Sequence, residues 1–299
     1  MKNLIINADD YGMSQSTNEA VEDLFENGYI TSTTLMTPCP WAEDAIERAK
    51  KNTKMKMGLH TTLTSEWGRY RWKPVSRTPV PSLLDKYGYM HKNVKGLLEA
   101  CTETDVETEL NAQLDFMLER DYRPTHIDNH MGSVYGLEGK SLLEVIFKLC
   151  SRDAYPFRLP RYTRMLGKIP FYAKIFVKMK LKQAVQSAES MGIGILDYLW
   201  ATPGRFSESD GYDALKRRYL EFIAKLPDGL TEIYMHPAVD SKELRAITGR
   251  WYIRTWEYRF LKDPDLKETI DAAGIKLTAW TDVKPSGKTD KIKSKEGRQ

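Results

Sequence analysis

Cysteine is scarce in this chain of 299 residues, which carries only Cys39, Cys101 and Cys150. Their spacing matches neither a zinc-binding pattern nor a disulfide framework, so we expect buried or half-buried thiols without a chemical role. Long apolar runs are also missing, since no stretch approaches the roughly 18 consecutive apolar residues that a membrane span requires. The sequence therefore argues against a cysteine-based metal site, a disulfide-stabilised scaffold and a transmembrane protein.

The amino terminus lacks the features of a secretory signal. A single lysine precedes an apolar run that is too short, and acidic residues stand where a small-residue cleavage site is expected. Hydrophobic residues make up 41% of the chain and charged residues 29%, which is typical of a globular protein. We therefore expect a soluble, cytoplasmic protein.

A strong excess of charge of one sign is absent from the body of the chain. The net charge is +4, and the lysine-rich residues 284–299 account for it. This tail is predicted to be a disordered, solubilising end. Because the remaining residues 1–283 are nearly neutral, we expect no nucleic-acid partner.

Short β-type runs alternate with amphipathic helical patterns along the chain. This alternation is typical of βαβ units and a parallel sheet. Since no break in composition divides the chain, we predict an α/β fold with one TIM-barrel-like (β/α) barrel over residues 1–283, either distorted or seven-stranded. An open doubly wound sheet is the alternative. The predicted strands are 4–8, 31–36, 56–63, 124–129, 156–160, 194–201, 230–236 and 275–280, and the predicted helices are 16–28, 41–52, 104–121, 141–152, 211–226 and 263–274.

Two segments interrupt this repeat. Residues 64–93 are rich in Trp, Tyr, Arg and Pro and far exceed the usual loop of about two to six residues. Within them, Trp67, Arg71 and Trp72 are predicted to bind substrate, because aromatic rings pack on sugars and arginine pairs with anionic groups. The alternative is a loop that packs on the barrel rim or on a homodimer partner. Residues 161–194 mix basic and bulky apolar residues, which favours an elaborated barrel helix over a membrane-facing one.

Carboxylates and imidazoles follow several of the predicted strands. The stretch LIINADDYG runs a hydrophobic strand directly into Asp9 and Asp10, and three of the five histidines, His60, His130 and His236, lie in or just after other strands. Ligands of parallel α/β proteins gather at the carboxyl ends of their strands. Two imidazoles and a carboxylate form a metal site that leaves positions for water and substrate. The alternative for the aspartates is a role in capping the following helix.

A metal site of this kind supplies hydrolytic chemistry. A bound metal acidifies a water molecule, a second carboxylate can take its proton, and a further histidine can protonate the leaving group. Neighbouring side chains leave a strand in different directions, so one aspartate can face the metal while the other faces the water. The spacing does not decide which aspartate has which role.

The ordered blocks NADDYG, NGYITSTTLM, MGLHTTLT, PTHIDNH and YMHPA resemble the YdjC-like carbohydrate deacetylases, also called the ChbG/HpnK family. The resemblance spans nearly the whole chain, from Leu4 to about Trp280. It implies a (β/α) barrel-like hydrolase that uses a divalent metal, Mg²⁺ or Zn²⁺. It also implies that a metal-bound water removes the N-acetyl group from an amino sugar in a small oligosaccharide or glycoconjugate.

The resemblance further implies a role for each matching residue. Asp10, His60 and His130 correspond to the metal ligands. Asp9 corresponds to the general base, and His236 to the general acid that protonates the departing amine.

Arg158 is a further predicted contact to the substrate, with an arginine that bridges barrel loops as the alternative. The chain departs from the family after HIDNH, where MGSVYG replaces further histidines, and in the length of the aromatic loop. The sugar specificity of the family is therefore not carried over. Two other functions stay open, a metal hydrolase of an ester or phosphoester bond and a noncatalytic sugar-binding protein on the same barrel.

Overall fold

A computed structural model describes residues 1–162, 171–200 and 206–285, with the backbone alone for 171–176. Its strands are β1 (Lys2–Tyr11), β2 (Ser32–Leu35), β3 (Met57–Thr61), β4 (Ile127–Asn129), β5 (Tyr198–Trp200), β6 (Gly229–Met235) and β7 (Ile275–Leu277). Its α-helices are α1 (Gln15–Glu26), α2 (Ala42–Lys51), α3 (Val94–Ala100), α4 (Glu103–Leu118), α5 (Leu143–Ser151), α6 (Phe171–Ser190), α7 (Gly211–Ile223), α8 (Lys242–Ile247), α9 (Trp251–Leu261) and α10 (Pro264–Ala272).

The paired strands are all parallel and form one curled sheet. The order is β4-β3-β2-β1-β6-β5, and β7 pairs with the first three residues of β1. Every residue of β1 from Leu4 onward is buried, as expected for a strand that is covered on both faces. Parallel neighbours place their carboxyl ends at the same edge, so the residues that end β1, β3, β4 and β6 converge there.

An irregular segment lies between β4 and β5 and completes the curl of the sheet. Phe157 forms a bridge to Ile127 on one side, and Pro160 forms a bridge to Leu196 on the other. The predicted strand 156–160 is thus reduced to isolated bridges, because its two prolines lack the N–H group that a regular ladder requires. The predicted α/β fold with a distorted (β/α) barrel is confirmed.

The helices predicted from apolar periodicity correspond to α1, α2, α4, α5, α7 and α10. The structure adds α3, α8 and α9, which sequence reasoning did not assign, and places α6 within the elaborated segment 161–194. Within the described part of the chain, none of the helices has both the length and the apolar run needed to cross a membrane. Residues 163–170 and the tail from 286 onward lie outside the described residues.

The aromatic loop 64–93 is anchored to the barrel by two carboxylates of α4. Buried Glu109 accepts hydrogen bonds from the backbone N–H groups of Val75 and Ser76, each at 2.9 Å. Asp105 accepts from the backbone and the hydroxyl of Ser82 at 2.9 and 2.7 Å. Since both carboxylates belong to one helix, α4 fixes the path of the loop.

Candidate metal centre and active site

Asp9 and Asp10 lie at an irregularity near the carboxyl end of β1. Ala8 pairs with Thr33 of β2, and Tyr11 pairs with Leu35. The three-residue step in β1 is thus matched by a step of only two residues in β2, so β1 contains one extra residue. Asp10 has a φ of 64°, the left-handed conformation found in one class of β-bulge. In a regular strand the two side chains would point to opposite faces. The bulge instead lets both carboxylates line the same cavity.

Asp10, His60 and His130 bring three ligand atoms together. Asp10 Oδ1 lies 3.5 Å from His60 Nε2 and 3.4 Å from His130 Nδ1. All three residues are buried, and Asp10 Oδ1 has no hydrogen-bond partner among the described residues. Two atoms that each lie about 2.1 Å from a tetrahedral metal ion are about 3.4 Å apart. The three side chains therefore fit a divalent ion.

In both His60 and His130, the ring nitrogen that faces away from Asp10 lies within hydrogen-bond distance of another carboxylate. His60 Nδ1 lies 2.6 Å from Asp128 Oδ1, and His130 Nε2 lies 3.0 Å from Glu66 Oε2. Such pairs fix the orientation and tautomer of metal-binding imidazoles. Burial lowers the pKa of both imidazoles, but the neighbouring carboxylates outweigh this effect. Asp128 is the main cause that raises the pKa of His60 to about 9, and Glu66 is the main cause that raises the pKa of His130 to about 10. The surroundings thus favour positive charge, which protons or a metal ion can supply.

Arg158 orients Asp9 through a bidentate pair of hydrogen bonds. Its Nη1 and Nη2 donate to the two carboxylate oxygens at 2.8 and 2.7 Å. Burial raises the pKa of Asp9, but Arg158 and His60 outweigh this effect and lower it to about 2. Asp9 Oδ2 lies 4.0 Å from His60 Nε2. An ionised carboxylate is therefore held beside the ligand atoms.

The two oxygens of Asp10 have different surroundings. Arg254 of α9 donates from Nη2 to Asp10 Oδ2 at 2.6 Å, which leaves Oδ1 facing the two histidines. Burial opposes ionisation, but Arg254 holds the pKa of Asp10 well below its usual range. Asp10 is thus a charged candidate ligand, and Arg254 of α9 fixes the orientation of its carboxylate.

His236 follows β6 and lines the same cavity as Asp10, His60 and His130, the three candidate metal ligands that we call the ligand triad. Its side chain is 30% exposed, whereas those of Asp10 and His60 are nearly inaccessible. Buried Glu257 accepts a hydrogen bond from the backbone N–H of His236 at 2.7 Å, and the same oxygen lies 3.9 Å from its Nδ1. The result is an accessible imidazole on a fixed backbone, suited to donating a proton to a bound ligand.

The cavity has a volume of about 1070 Å³. Six predicted site residues are among those that line it: Asp9, Asp10, His60, His130, Arg158 and His236.

The aromatic loop residues predicted to bind substrate are not among the described residues that line this cavity. Trp72 donates its indole N–H to the Thr64 carbonyl at 2.8 Å, and Arg71 pairs with Asp85 at 2.6 Å. Trp67 is half-buried in the same loop. Their contact with a sugar stays a prediction, as does that of Arg158, whose guanidinium is occupied by carboxylates.

Comparison with known proteins identifies the family. The model of YdjC-like proteins matches residues 3–272. The chain belongs to the YdjC-like family. This YdjC-like chain is 28% identical to a carbohydrate deacetylase of Geobacillus stearothermophilus over 277 residues, which are 92% of this chain and 96% of that protein. It is also 28% identical to a chitooligosaccharide deacetylase of Yersinia enterocolitica over 288 residues, or 94% and 99% of the two chains.

A crystal structure from Enterococcus faecalis, described as that of a candidate cellobiose-phosphate cleavage protein, is similar to this YdjC-like protein throughout. The TM-score is 0.74 and the sequence identity 26%, with 93% of this chain and 97% of that chain covered. The resemblance inferred from the ordered motifs is thereby confirmed.

Sequence reasoning missed several charged residues around the site of this YdjC-like chain. Asp128 carried a signal, because it lies within PTHIDNH and the strand register pairs it with His60. Glu66 lies in the aromatic loop, and Arg254 and Glu257 lie on a helix that was not predicted. Their roles depend on tertiary contacts, so no local pattern identifies them.

Proposed function

We propose that this chain is a divalent-metal-dependent hydrolase that removes the N-acetyl group from an amino sugar in a small oligosaccharide or glycoconjugate. The observation that carries this proposal is the convergence of the ligand triad with Asp9 and His236 on one cavity. Relatives that match over nearly their whole length and are named carbohydrate or chitooligosaccharide deacetylases support it.

Asp10, His60 and His130 would hold the metal ion. When bound there, a divalent ion polarises the acetyl carbonyl and makes a neighbouring water more acidic. Imidazole ligands suit Zn²⁺, and a shell completed by water suits Mg²⁺. Asp128 and Glu66 keep the two rings in place, and Arg254 keeps Asp10 ionised.

Asp9 acts as the general base. Because Arg158 keeps it ionised and oriented, Asp9 can accept the proton of the attacking water as the oxygen bonds to the acetyl carbon. No covalent intermediate on the protein is required.

His236 acts as the general acid. An amine is a poor leaving group unless its nitrogen gains a proton as the C–N bond breaks. The accessible imidazole, held through its backbone by Glu257, can give that proton. The products are acetate and the free amino sugar.

The proposal is tested with oligomers of N-acetylglucosamine and purified protein loaded with Zn²⁺ or Mg²⁺. We expect release of free amine and acetate in equal amounts. Asp10→Asn should weaken metal binding by more than about 100-fold. His236→Ala should lower kcat by about 10²–10⁴-fold with metal affinity unchanged, and exposed Lys182→Ala serves as the control.

Three results would contradict the proposal. The first is metal-loaded protein that releases no amine from N-acetylated sugars. The second is preferential cleavage of O-acetyl or phosphate esters, which would favour the alternative hydrolase. The third is unchanged metal affinity in Asp10→Asn, which would place the ion elsewhere.

A further inference from the structure

A buried arginine of the aromatic loop joins three separate points of that loop. Arg71 donates from Nε to the carbonyl of Ser65 at 3.2 Å, from Nη1 to Asp85 at 2.6 Å and from Nη2 to the carbonyl of Met90. Its side chain is 7% exposed, and its guanidinium lies 5.1 Å from the centre of the Tyr89 ring. A planar guanidinium presents its donors in a fixed fork, so one side chain can hold several acceptors at once. We call this set of contacts the Arg71 clamp.

The Arg71 clamp fixes the backbone at Ser65, which is fully buried. The N–H of Ser65 donates to the carbonyl of His91 at 2.8 Å, and its carbonyl accepts from Arg71. Its hydroxyl accepts from the backbone N–H of Trp72 at 3.0 Å. Because three polar groups of Ser65 are bonded, the backbone from which the next residue, Glu66, extends is held in place.

Glu66 links this fixed backbone to the metal centre. Its Oε2 lies 3.0 Å from Nε2 of His130, whose Nδ1 lies 3.4 Å from Asp10. Trp72 meets the same imidazole edge to face, with ring centres 6.3 Å apart. A carboxylate on the outer nitrogen fixes the direction and tautomer of a metal-binding imidazole. Two side chains of the aromatic loop therefore position His130.

A further contact joins the aromatic loop to the segment that follows Asp10. Tyr70 donates its hydroxyl to the carbonyl of Met13 at 2.8 Å, and the N–H of Met13 donates to the carbonyl of Asp10 at 3.0 Å. Met13 and Trp72 belong to one buried apolar cluster, against which Tyr70 packs. The loop thus supports the chain at two of the three candidate ligands, Asp10 and His130.

We propose that Arg71 is a positioning residue of the metal centre, which acts through Ser65 and Glu66 on His130 and so couples order in the aromatic loop to metal binding. This inference rests on the proposed function, which assigns His130 to the metal ion. It gives Arg71 a role that requires no contact with a sugar. Because coupling between two sites is reciprocal, a bound metal ion should in turn stabilise the loop.

The first test measures the affinity for Zn²⁺ by calorimetry, with Mg²⁺ as the second probe, well below the melting temperature. Residues that support metal ligands typically change metal affinity about 10–100-fold, so Arg71→Met should weaken binding by about tenfold or more. Arg69→Met removes an exposed arginine of the same loop and should change the affinity by less than about twofold. If Arg71→Met does not fold, Arg71→Lys replaces it, since lysine keeps the charge beside Asp85 without the fork, and about a threefold loss is expected.

A double-mutant cycle separates positioning from a general loss of structure. If Arg71 acts through Glu66, Arg71→Met should change the affinity by less than about twofold once Glu66→Gln is present. Independent effects would multiply instead.

Hydrogen exchange followed by mass spectrometry supplies a readout that does not depend on activity. Saturating metal should slow exchange in peptides that cover residues 64–93 by about tenfold in the unmodified chain, as reciprocity requires. The protection should be much smaller in Glu66→Gln, where the link between loop and ligand is weakened.

The outcomes separate this inference from the proposed function. Unchanged metal affinity in the Arg71 variant, losses that multiply in the double variant, or exchange in residues 64–93 that metal does not slow would each overturn the positioning role and leave the proposed function standing. The expected coupling in a protein that releases no amine from N-acetylated sugars supports the positioning role while the proposed function fails. An unmodified chain that binds neither ion overturns both.

Discussion

Replacement of Arg158 by Met should show how much the buried ion pairs of the site contribute to the free energy of unfolding. The guanidinium lies 2.7 Å from Asp9, 2.8 Å from Asp128 and 2.9 Å from Glu232, and all of these groups are buried. A buried charge that loses its partner typically costs about 3–5 kcal/mol. We expect Arg158→Met to lower the free energy of unfolding by about that amount at pH 7, out of the roughly 5–15 kcal/mol typical of folded proteins.

The expected shift in melting temperature follows from the size of the chain. With 299 residues, the entropy of unfolding is about 0.6 kcal/mol/K near 60 °C. A loss of about 3–5 kcal/mol therefore lowers Tm by about 5–8 °C. Differential scanning calorimetry measures this shift directly.

The loss should depend on pH through Glu232. Burial raises its pKa from 4.5 to about 7, even though Arg158 lowers it. Because this folded-state pKa lies above the ordinary value, the stability that protonated Glu232 contributes is complete below pH 4.5 and is lost as the pH rises through about 7. Without Arg158, ionised Glu232 destabilises the folded state more strongly. The decrease in unfolding free energy caused by Arg158→Met should therefore be larger at pH 7.5 than at pH 5.

Arg161→Met is the matched control. Arg161 forms ion pairs with Glu189 and Asp197 and is only partly buried. Ion pairs near the surface contribute about 0–1 kcal/mol, so Tm should change by less than about 2 °C. A similarly small change in the Tm of Arg158→Met would refute the proposed link between the buried charges of the site and the stability of the fold. A loss of unfolding free energy that is equal at pH 5 and pH 7.5 would refute it as well.

Three further variants test how the site is supported. Glu66→Gln should weaken metal binding about 10–100-fold by losing the charged partner of His130; unchanged affinity in a competition titration would contradict this role. Glu257→Gln should lower kcat about tenfold without changing metal affinity, and a lower metal affinity would show a more general disruption. Glu109→Ala leaves two backbone N–H groups of the aromatic loop without an acceptor. We therefore expect a loss of about 2–3 kcal/mol in unfolding free energy and faster proteolysis within residues 64–93. An unchanged digestion pattern would argue against anchoring of the loop by α4.

The residues of the proposed reaction could be identified from the sequence because they end strands with strong local patterns. Asp9, Asp10, His60, His130 and His236 each follow or interrupt an apolar run, and parallel strands bring such positions to one edge. The barrel could be predicted for the same reason, since the alternation of strands and helices is a local property.

The supporting residues could not be identified in this way. Arg254 and Glu257 lie on α9, whose charged side chains resemble those of a solvated helix until packing buries them. The bulge between Ala8 and Tyr11 contains no glycine or proline that would predict it. Each of these features depends on contacts between distant segments.

The bulge in β1 makes the number of residues as important to the site as their identity. Only Asp9 and Asp10 lie between Ala8 and Tyr11, so removal of one residue there would restore the regular pairing of β1 with β2 and take away one of the two carboxylates. Such a deletion would retain the histidines and Arg158, yet remove either the predicted base or the predicted ligand. Sequence comparisons across such barrels should therefore treat a gap at this position as a loss of the centre, even where the remaining aspartate can be aligned.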